Sequence, residues 1–307
     1  VRRLLVRRLL LLLPTMLGAA TIVFALLRAV PGDPVEIMLG ESAARADAAA
    51  LRRDLGLEGS PAAQYVAFLS RVMRGDLGRS ITYRAPVTAV IAGRYGATLE
   101  LAGAAALVAI GFALPLGLLA AARPRSFIDR FARFVSLLGV CVPSFWLGPL
   151  LILVFSIQLG WLPVSGRAGI ASVVLPALTL GLGMAGILVR LTRTTMLAAL
   201  REDWIRTARA KGAPAWRVFG LHALRCALPP VVTVAGLQAG GLLAGAIITE
   251  TIFAWPGLGR LVVQAIDARD YPLVQGCVLA IAFTYLLMNT AADVLHRVLD
   301  PRLRDAS

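Results

Sequence analysis

Hydrophobic positions in this chain gather into six long runs rather than the alternating patterns of a water-soluble domain. The runs are approximately Leu9–Leu27, Leu101–Ala122, Phe134–Ile157, Ile170–Val189, Pro230–Thr249 and Val274–Val294. Each is about 20 residues, the length a helix needs to cross the hydrocarbon core of a bilayer. Backbone polar groups have no water to turn to at that depth, so the runs predict helices, and periodicity within them carries little weight. The expected fold class is an all-α membrane protein with six transmembrane helices. The first run follows Arg2, Arg3, Arg7 and Arg8, as a signal peptide would. Its apolar stretch is too long for such a peptide and no small-residue cleavage site follows, so it reads as a retained first span.

The polar connections predict sidedness. The amino terminus carries four Arg, and the second-to-third connection carries Arg123, Arg125, Arg130 and Arg133. The fourth-to-fifth connection holds Arg190, Arg193, Arg201, Arg206, Arg209, Lys211, Arg217 and Arg225 against Glu202 and Asp203, and the tail adds Arg297, Arg302 and Arg304. The third-to-fourth loop has only Arg167. Basic residues in short loops mark the cytoplasmic side, so both termini are expected inside. Residues 31–96 fall outside by this scheme, with eight Arg balanced by seven acids. Within them Ala43–Leu55 and Ala62–Arg74 have helical composition, separated by Gly56, Gly59 and Pro61, which predicts a small helical cap. The expected organisation is therefore 1–30 (amino-terminal end and first span), 31–96 (outer helical loop), 97–300 (five-span core with a cytoplasmic loop at 190–229) and 301–307 (cytoplasmic tail).

Composition narrows the function classes. The 307 residues are 58% hydrophobic and 16% charged, with mean hydropathy +0.79. The net charge of +14 is spread between the apolar runs, so it is read as topology and not as a nucleic-acid surface. Cys141, Cys226 and Cys277 are too widely spaced for a disulfide framework or a redox pair and read as small packing residues. His222 and His296 show no metal-ligand spacing. The one lysine, Lys211, precedes Gly212 and not Ser or Thr, so no phosphate-binding P-loop is present. No catalytic, cofactor or metal site is expected in the chain. A membrane-embedded enzyme would need converging His, Asp or Ser groups that the spans hardly supply; a membrane scaffold that only binds partners is not excluded by composition.

Polar residues at membrane depth are candidates for a solute path. These are Glu100 near the start of the second run, Gln238 in the fifth, Glu250 just past it, and Asn289 and Asp293 in the sixth. The three acids lie near run ends, where water or headgroups solvate them, and Gln238 and Asn289 equally suit helix-to-helix hydrogen bonds. Gly236, Gly240, Gly241 and Gly245 form two overlapping GxxxG pairs, suited either to a subunit or gate contact or to internal packing. Pro14, Pro115, Pro143, Pro149 and Pro176 permit kinks. Trp255-Pro256-Gly257 reads as a tight turn at the outer mouth, either touching a partner or anchoring at the interface.

The most informative segment is Leu197–Pro230. Leu197–Lys211 reads as a helix with Glu202 and Asp203 at its centre, stopped by Gly212. Pro214 then suits the first turn of a second short helix, Ala215–Leu224. Trp204, Trp216, Phe219 and many Arg decorate this elbow, a shape suited to docking in a partner's groove or lying on anionic lipid.

Here the chain resembles a known family, the inner-membrane permease subunits of ATP-binding-cassette importers, and within it the dipeptide/oligopeptide/nickel group, in particular the B-type dipeptide permease. The segment Asp203–Gly212 (DWIRTARAKG) is similar to that group's loop for docking on the ATPase. Arg206 and Thr207 stand where the general pattern has Glu and Ala, Ala208 and Gly212 fit, and the downstream proline falls late, at Pro229. Similar segments follow in order along nearly the whole chain. They include Pro31–Pro34 (PGDP), Gly75–Ser80 (GDLGRS), Ala97–Leu101 (ATLEL), Pro143–Gly148 (PSFWLG) and Leu159–Gly166 (LGWLPVSG). Thr249–Arg260 (TETIFAWPGLGR), Arg269–Gln275 (RDYPLVQ) and Leu299–Arg302 (LDPR) complete the series.

The resemblance implies a MetI-like permease fold, with six spans around half of a translocation pathway in a bacterial inner membrane. It implies a second, homologous permease as heterodimer partner, two ATP-binding subunits that hold ATP and Mg, and an outer solute-binding protein. Asp203, Arg206, Thr207, Ala208, Lys211 and Gly212 would form the ATPase-docking surface, moved as a lever when the ATPases close. The implied cargo is a short peptide, with nickel (as a chelate) or glutathione as alternatives.

Overall fold

The computed structural model describes residues 2–29 and 59–299. The predicted outer helix Ala43–Leu55, the Pro31–Pro34 segment and the tail 301–307 lie outside the described residues. Every apolar run is helical, and the helices extend beyond the runs because flanking polar residues continue the same backbone hydrogen bonding. In chain order they are α1 (Arg2–Ala29), α2 (Pro61–Met73), α3 (Val87–Ala122), α4 (Phe127–Cys141), α5 (Ser144–Leu151), α6 (Ile170–Ala199), α7 (Asp203–Ala210), α8 (Ala215–Arg217), α9 (Leu224–Ile252), α10 (Leu258–Asp267) and α11 (Tyr271–Leu299). A π-helical stretch, Ile152–Gln158, continues α5, and another, Val218–Ala223, joins α8 to α9. Among the described residues, α3, α6, Ala215–Leu243 and Tyr271–Leu295 are each long and apolar enough to cross a membrane. The pair formed by α4 with α5 and its continuation is a fifth only if its two limbs count as one span, while α1 carries a shorter apolar stretch, Leu10–Leu26.

The kink permitted at Pro143 is a full break: the third run turns by 107° at Val142–Pro143. Pro143 supplies no N–H and disfavours helical backbone in the residue before it; Val142 accordingly sits at ψ 115°.

The helices group into two compact units. One comprises residues 7–98 and 256–284. Ser60 caps α2 by accepting from the Ala63 N–H at 3.3 Å, with Pro61 beginning the helix. Phe68 of α2 then buries against Ala20 and Phe24 of α1 and Leu279 of α11, with the Phe24 and Tyr65 rings edge to face at 5.1 Å. A second cluster joins Val87 and Ile91 to Leu258, Leu261 and Val262 of α10 and Leu273 and Cys277 of α11. Between the clusters, the fully buried Asp270 accepts from Ser80 Oγ (2.5 Å), Thr82 N–H (3.0 Å) and Leu273 N–H (3.2 Å). The motifs at 75–80 and 269–275 thus meet on one carboxylate, which caps α11 and clamps the 76–86 turn.

The other unit comprises residues 1–6, 99–255 and 285–307 and is built around α6. Side chains small enough for backbone contact let its neighbours approach, as membrane helices require. A Cβ on Gly139 of α4 would lie 2.6 Å from the Leu182 carbonyl oxygen, and one on Gly186 of α6 2.8 Å from that of Ser136. Ser136 Oγ donates to the Gly186 carbonyl at 2.5 Å at this crossing. On α3, Gly117 meets Thr192, and on α6, Gly181 meets the Ala105 carbonyl. The GxxxG glycines divide by phase: Gly236 packs on Ala292 and Gly240 on Asn289 and Tyr285, whereas Gly241 faces open space. Internal packing therefore claims the first pair.

Gly139→Ala and Gly186→Ala are each predicted to destabilise the protein by about 1–3 kcal/mol through overpacking. Gly103→Ala, on an open helix face, is predicted to leave stability unchanged or raise it by about 0.5–1 kcal/mol. Thermal unfolding of the purified protein in detergent reads the opposite signs.

Candidate functional site

The elbow is present, but its internal boundaries differ from the sequence reading. Helix α6 runs to Ala199, and α7 begins anew at Asp203. Glu202 and Asp203 therefore start a helix instead of sitting mid-helix, where the positive end of the helix dipole favours acids. The second half is no separate short helix. Ala215–Arg217 passes through the π-helical turn directly into α9, so Pro229 and Pro230 lie inside a helix and not at its end.

A buried seat fixes α7. Ile205, absent from the sequence-based site, is fully buried among Ala121, Met196, Ala199, Val218, Ala223 and Ala227, with Ala208 half-buried beside it. The signal was available: one β-branched apolar residue among charged neighbours in an eight-residue helix marks its inward face. The opposite face is free. Asp203, Arg206, Thr207, Lys211 and Gly212 are exposed, as are Trp204 and Trp216. The Asp203–Arg206 pair, 3.5 Å apart on side chains 94% and 80% exposed, adds little stability and leaves both groups available.

Gly212 ends the helix. Its φ of +81° lets its N–H reach the Arg209 carbonyl (2.9 Å) while the Ala213 N–H reaches that of Ala208 (3.1 Å). This reciprocal pair satisfies the last carbonyls and reverses the chain toward α8. The same closure ends α9 and α10, where Ala254 (φ 49°) and Arg269 (φ 55°) occupy the left-handed position without being glycine.

A second feature lies beside the elbow and was not foreseen. Asp129, in the first turn of α4, has a side chain only 1% exposed. Arg193 of α6 meets it with two bonds, Nε at 2.5 Å and Nη2 at 3.0 Å. The Arg125 N–H (2.9 Å) and Arg133 Nη2 (3.4 Å) complete the set. A carboxylate this buried persists because both its oxygens accept from donors, the Arg193 guanidinium reaching each of them. Its sequence neighbours gave no hint, since the partner is 64 residues away.

The proposed path residues fall into different settings. Glu100 is not at the start of a span but within α3, where Arg167 donates to it at 2.6 Å on the exposed surface. Glu250 is fully buried inside α9 and engaged with a neighbour, correcting the expectation of a solvated run end. Asp293 is half-buried and likewise engaged. Asn289 packs against Gly240. Gln238 lines a cavity of about 450 Å³ with Val142, Ser144, Thr179, Gly183 and Gly241. Trp255 is fully buried, so it anchors nothing at an interface; the positive φ of this turn falls on Ala254, while Gly257 is extended. The Arg167 guanidinium lies 5.9 Å from the Trp255 ring, and the Gly166 N–H binds the Phe253 carbonyl at 2.9 Å. Pro256 is half-buried and Gly257 buried. Of the cysteines, Cys277 is buried as expected, but Cys141 and Cys226 are exposed.

Ile205→Ala is predicted to loosen α7 by about 2–4 kcal/mol, so trypsin cleavage after Arg206 and Arg209 accelerates. Thr207→Ala, on the free face, is predicted to leave the cleavage rate unchanged.

Known proteins share this architecture. Residues 113–305 match the family described as binding-protein-dependent transport system inner membrane component, and residues 1–102 match its amino-terminal companion. The di/tripeptide transport system permease protein DppB of Pseudomonas aeruginosa (strain UCBPP-PA14) is 43% identical over 97% of both chains. The dipeptide transport system permease protein DppB of Escherichia coli (strain K12) is 42% identical, again over 97% of both. The glutathione transport system permease protein GsiC of Salmonella paratyphi A is 40% identical with the same coverage. A solved inward-facing structure of the MetNI methionine ABC transporter superposes with a TM-score of 0.56 at 20% identity, covering 69% of this chain and 97% of that one, and shows a shared MetI-like fold. The chain belongs to the inner-membrane permease subunits of binding-protein-dependent ABC importers, multi-pass membrane proteins that work with ATPase and substrate-binding subunits.

Proposed function

We propose that this permease carries short peptides inward across a bacterial inner membrane, as half of a pathway completed by a second, homologous permease. Substrate class rests on the relatives: the di/tripeptide and dipeptide permeases named above share over 40% of their residues with this chain along nearly its whole length. Glutathione is the second reading, since a permease named for it is 40% identical; glutathione is itself peptide-like, so both readings ask for the same cavity chemistry.

The observation that carries the mechanism is the two-faced α7. Its inner face is seated by Ile205, and its outer face presents Asp203, Arg206 and Thr207, which none of the described residues covers. In this reading two ATP-binding subunits receive that face in a groove, and they alone bind ATP and Mg. The chain, in this reading, crosses six times with the elbow and both termini in the cytoplasm, which the arginine-rich connections support. On the same reading the segment 31–96 faces outward, where a solute-binding protein delivers cargo, and the Trp255-Pro256-Gly257 turn lies at the outer mouth. The divisions 1–30, 31–96, 97–300 and 301–307 then describe exposure to each compartment more than folding units.

Force applied to α7 has a short route inward. The seat contains Met196 and Ala199 of α6, and Arg193, one turn earlier, grips Asp129 of α4. Helices α4 and α6 touch again at Ser136, Gly139 and Gly186, immediately before the break at Val142–Pro143. Closing the ATPases thus moves α6 and α4 together and changes the geometry of the break, switching access from one side to the other.

Arg206→Glu is predicted to weaken co-purification of the ATPase subunits by about 30-fold or more in affinity, as loss of a central charged contact does. Gly212→Pro is predicted to abolish docking, because proline cannot adopt the +81° backbone. Uptake of labelled dialanine, beside labelled glutathione, in cells with and without this chain reads the cargo. Chain-dependent uptake of neither solute contradicts the peptide reading.

A further inference from the structure

We infer that the cavity at the break of the third span is a station that holds the cargo by its carbonyl or carboxylate oxygens, with the side-chain amide of Gln238 as its principal donor. The inference rests on the peptide-permease reading above and assigns the contact that reading leaves unnamed.

Three helices supply the cavity, each from its middle. Val142 and Ser144 flank the break halfway along the stretch Phe127–Gln158; Thr179 and Gly183 lie midway along α6; Gln238 and Gly241 lie midway along α9. Six-span crossing, as proposed above, puts the middles of α6 and α9, and the cavity with them, near the centre of the bilayer. A broken helix is tolerated at that depth only where its backbone lines a cavity, the arrangement transporters use to place a solute site at the midplane. Gly241 adds no side chain, so the second GxxxG phase keeps open the space that the first phase fills with packing.

One polar group at this place lacks a mate. Gln238 Nε2 is buried and has no hydrogen-bond partner among the described residues. Thr179 Oγ1 is committed to the Leu175 carbonyl at 2.8 Å, so it offers lone pairs and not a proton. An unpaired amide donor at the centre of a membrane is costly and is retained where something supplies an acceptor. A short peptide brings backbone carbonyls and a terminal carboxylate, so it supplies acceptors at whichever end enters first, and its terminal ammonium suits the lone pairs of Thr179. At about 450 Å³ the space is the size of a small-ligand site.

The test uses the complete complex in proteoliposomes, with loaded binding protein in saturation so that its own affinity does not enter. The probe is labelled dialanine. Gln238→Leu, which keeps the bulk and removes the donor, is expected to lower peptide carried per ATP hydrolysed about tenfold, as loss of a hydrogen bond to a charged group does. Gln238→Asn, which keeps a shorter amide, is expected to fall between. In a second arm the exposed Cys141 and Cys226 are replaced by serine and Gln238→Cys is introduced; dialanine is expected to slow its alkylation in the same complex. Unchanged transport by Gln238→Leu together with unprotected alkylation overturns the station. So does loss of the second permease on purifying Gln238→Leu, because the cavity would then be a subunit contact. If the wild-type complex carries no dialanine at all, the peptide reading itself fails and the station with it, a result that the variants alone cannot mimic.

Discussion

The carboxylate of Asp129 is the constraint on which the rest of the α6-centred unit depends. It lies at the arginine-rich end of two membrane helices and is almost wholly removed from solvent. A charge in that position is stable only while its partners stay in place; removing one partner of such a buried pair costs about 3–5 kcal/mol. Arg193 grips it with two bonds, and the Arg125 backbone, held at φ 64°, turns its N–H onto the same group. That fixes the start of α4 against α6. The glycine contacts near Ser136 then hold the two helices together up to the proline break. The seat of α7 is built on the last turn of the same α6, so the proposed docking surface, the Asp129–Arg193 pair and the cavity follow one another along one helix.

This order explains why the two GxxxG phases of α9 have different fates. The face of Gly236 and Gly240 is consumed by α11 within the chain, which leaves Gln238 and Gly241 to look into the cavity. Small residues at helical spacing say only that something approaches closely; which phase meets the chain's own helices is settled by tertiary packing. In the same way Trp255 looks from sequence like an interface anchor and is in fact core, because the closure around Ala254 folds it inward.

The features legible in the sequence were those that need no distant partner. Six apolar runs are long enough to name themselves as helices, Gly212 is an unambiguous helix stop, and Gly59 with Pro61 marks the break before α2. The bend at Pro143 was legible as a possible kink but not as a break, since its size depends on what the two halves pack against. Restarting a helix at Asp203 was misread because Leu197–Lys211 has helical composition throughout, and only the burial of Ile205 selects the new axis. The Asp129–Arg193 and Asp270–Ser80 contacts join residues 64 and 190 positions apart. No local pattern announces such pairs, although the segments that hold Ser80 and Asp270 were both singled out as motifs.

The central claim is that α4 and α6 move as one body when the ATPases act on α7. Phe131 and Thr194 are exposed on these two helices and accept spin labels without disturbing the ion pair. The distance between labels there, measured in the transporting complex with and without ATP, tests the claim most directly. The account predicts the same distance in both states while ATP-driven uptake continues. A displacement larger than the ~1–2 Å of ordinary helix adjustment would contradict it.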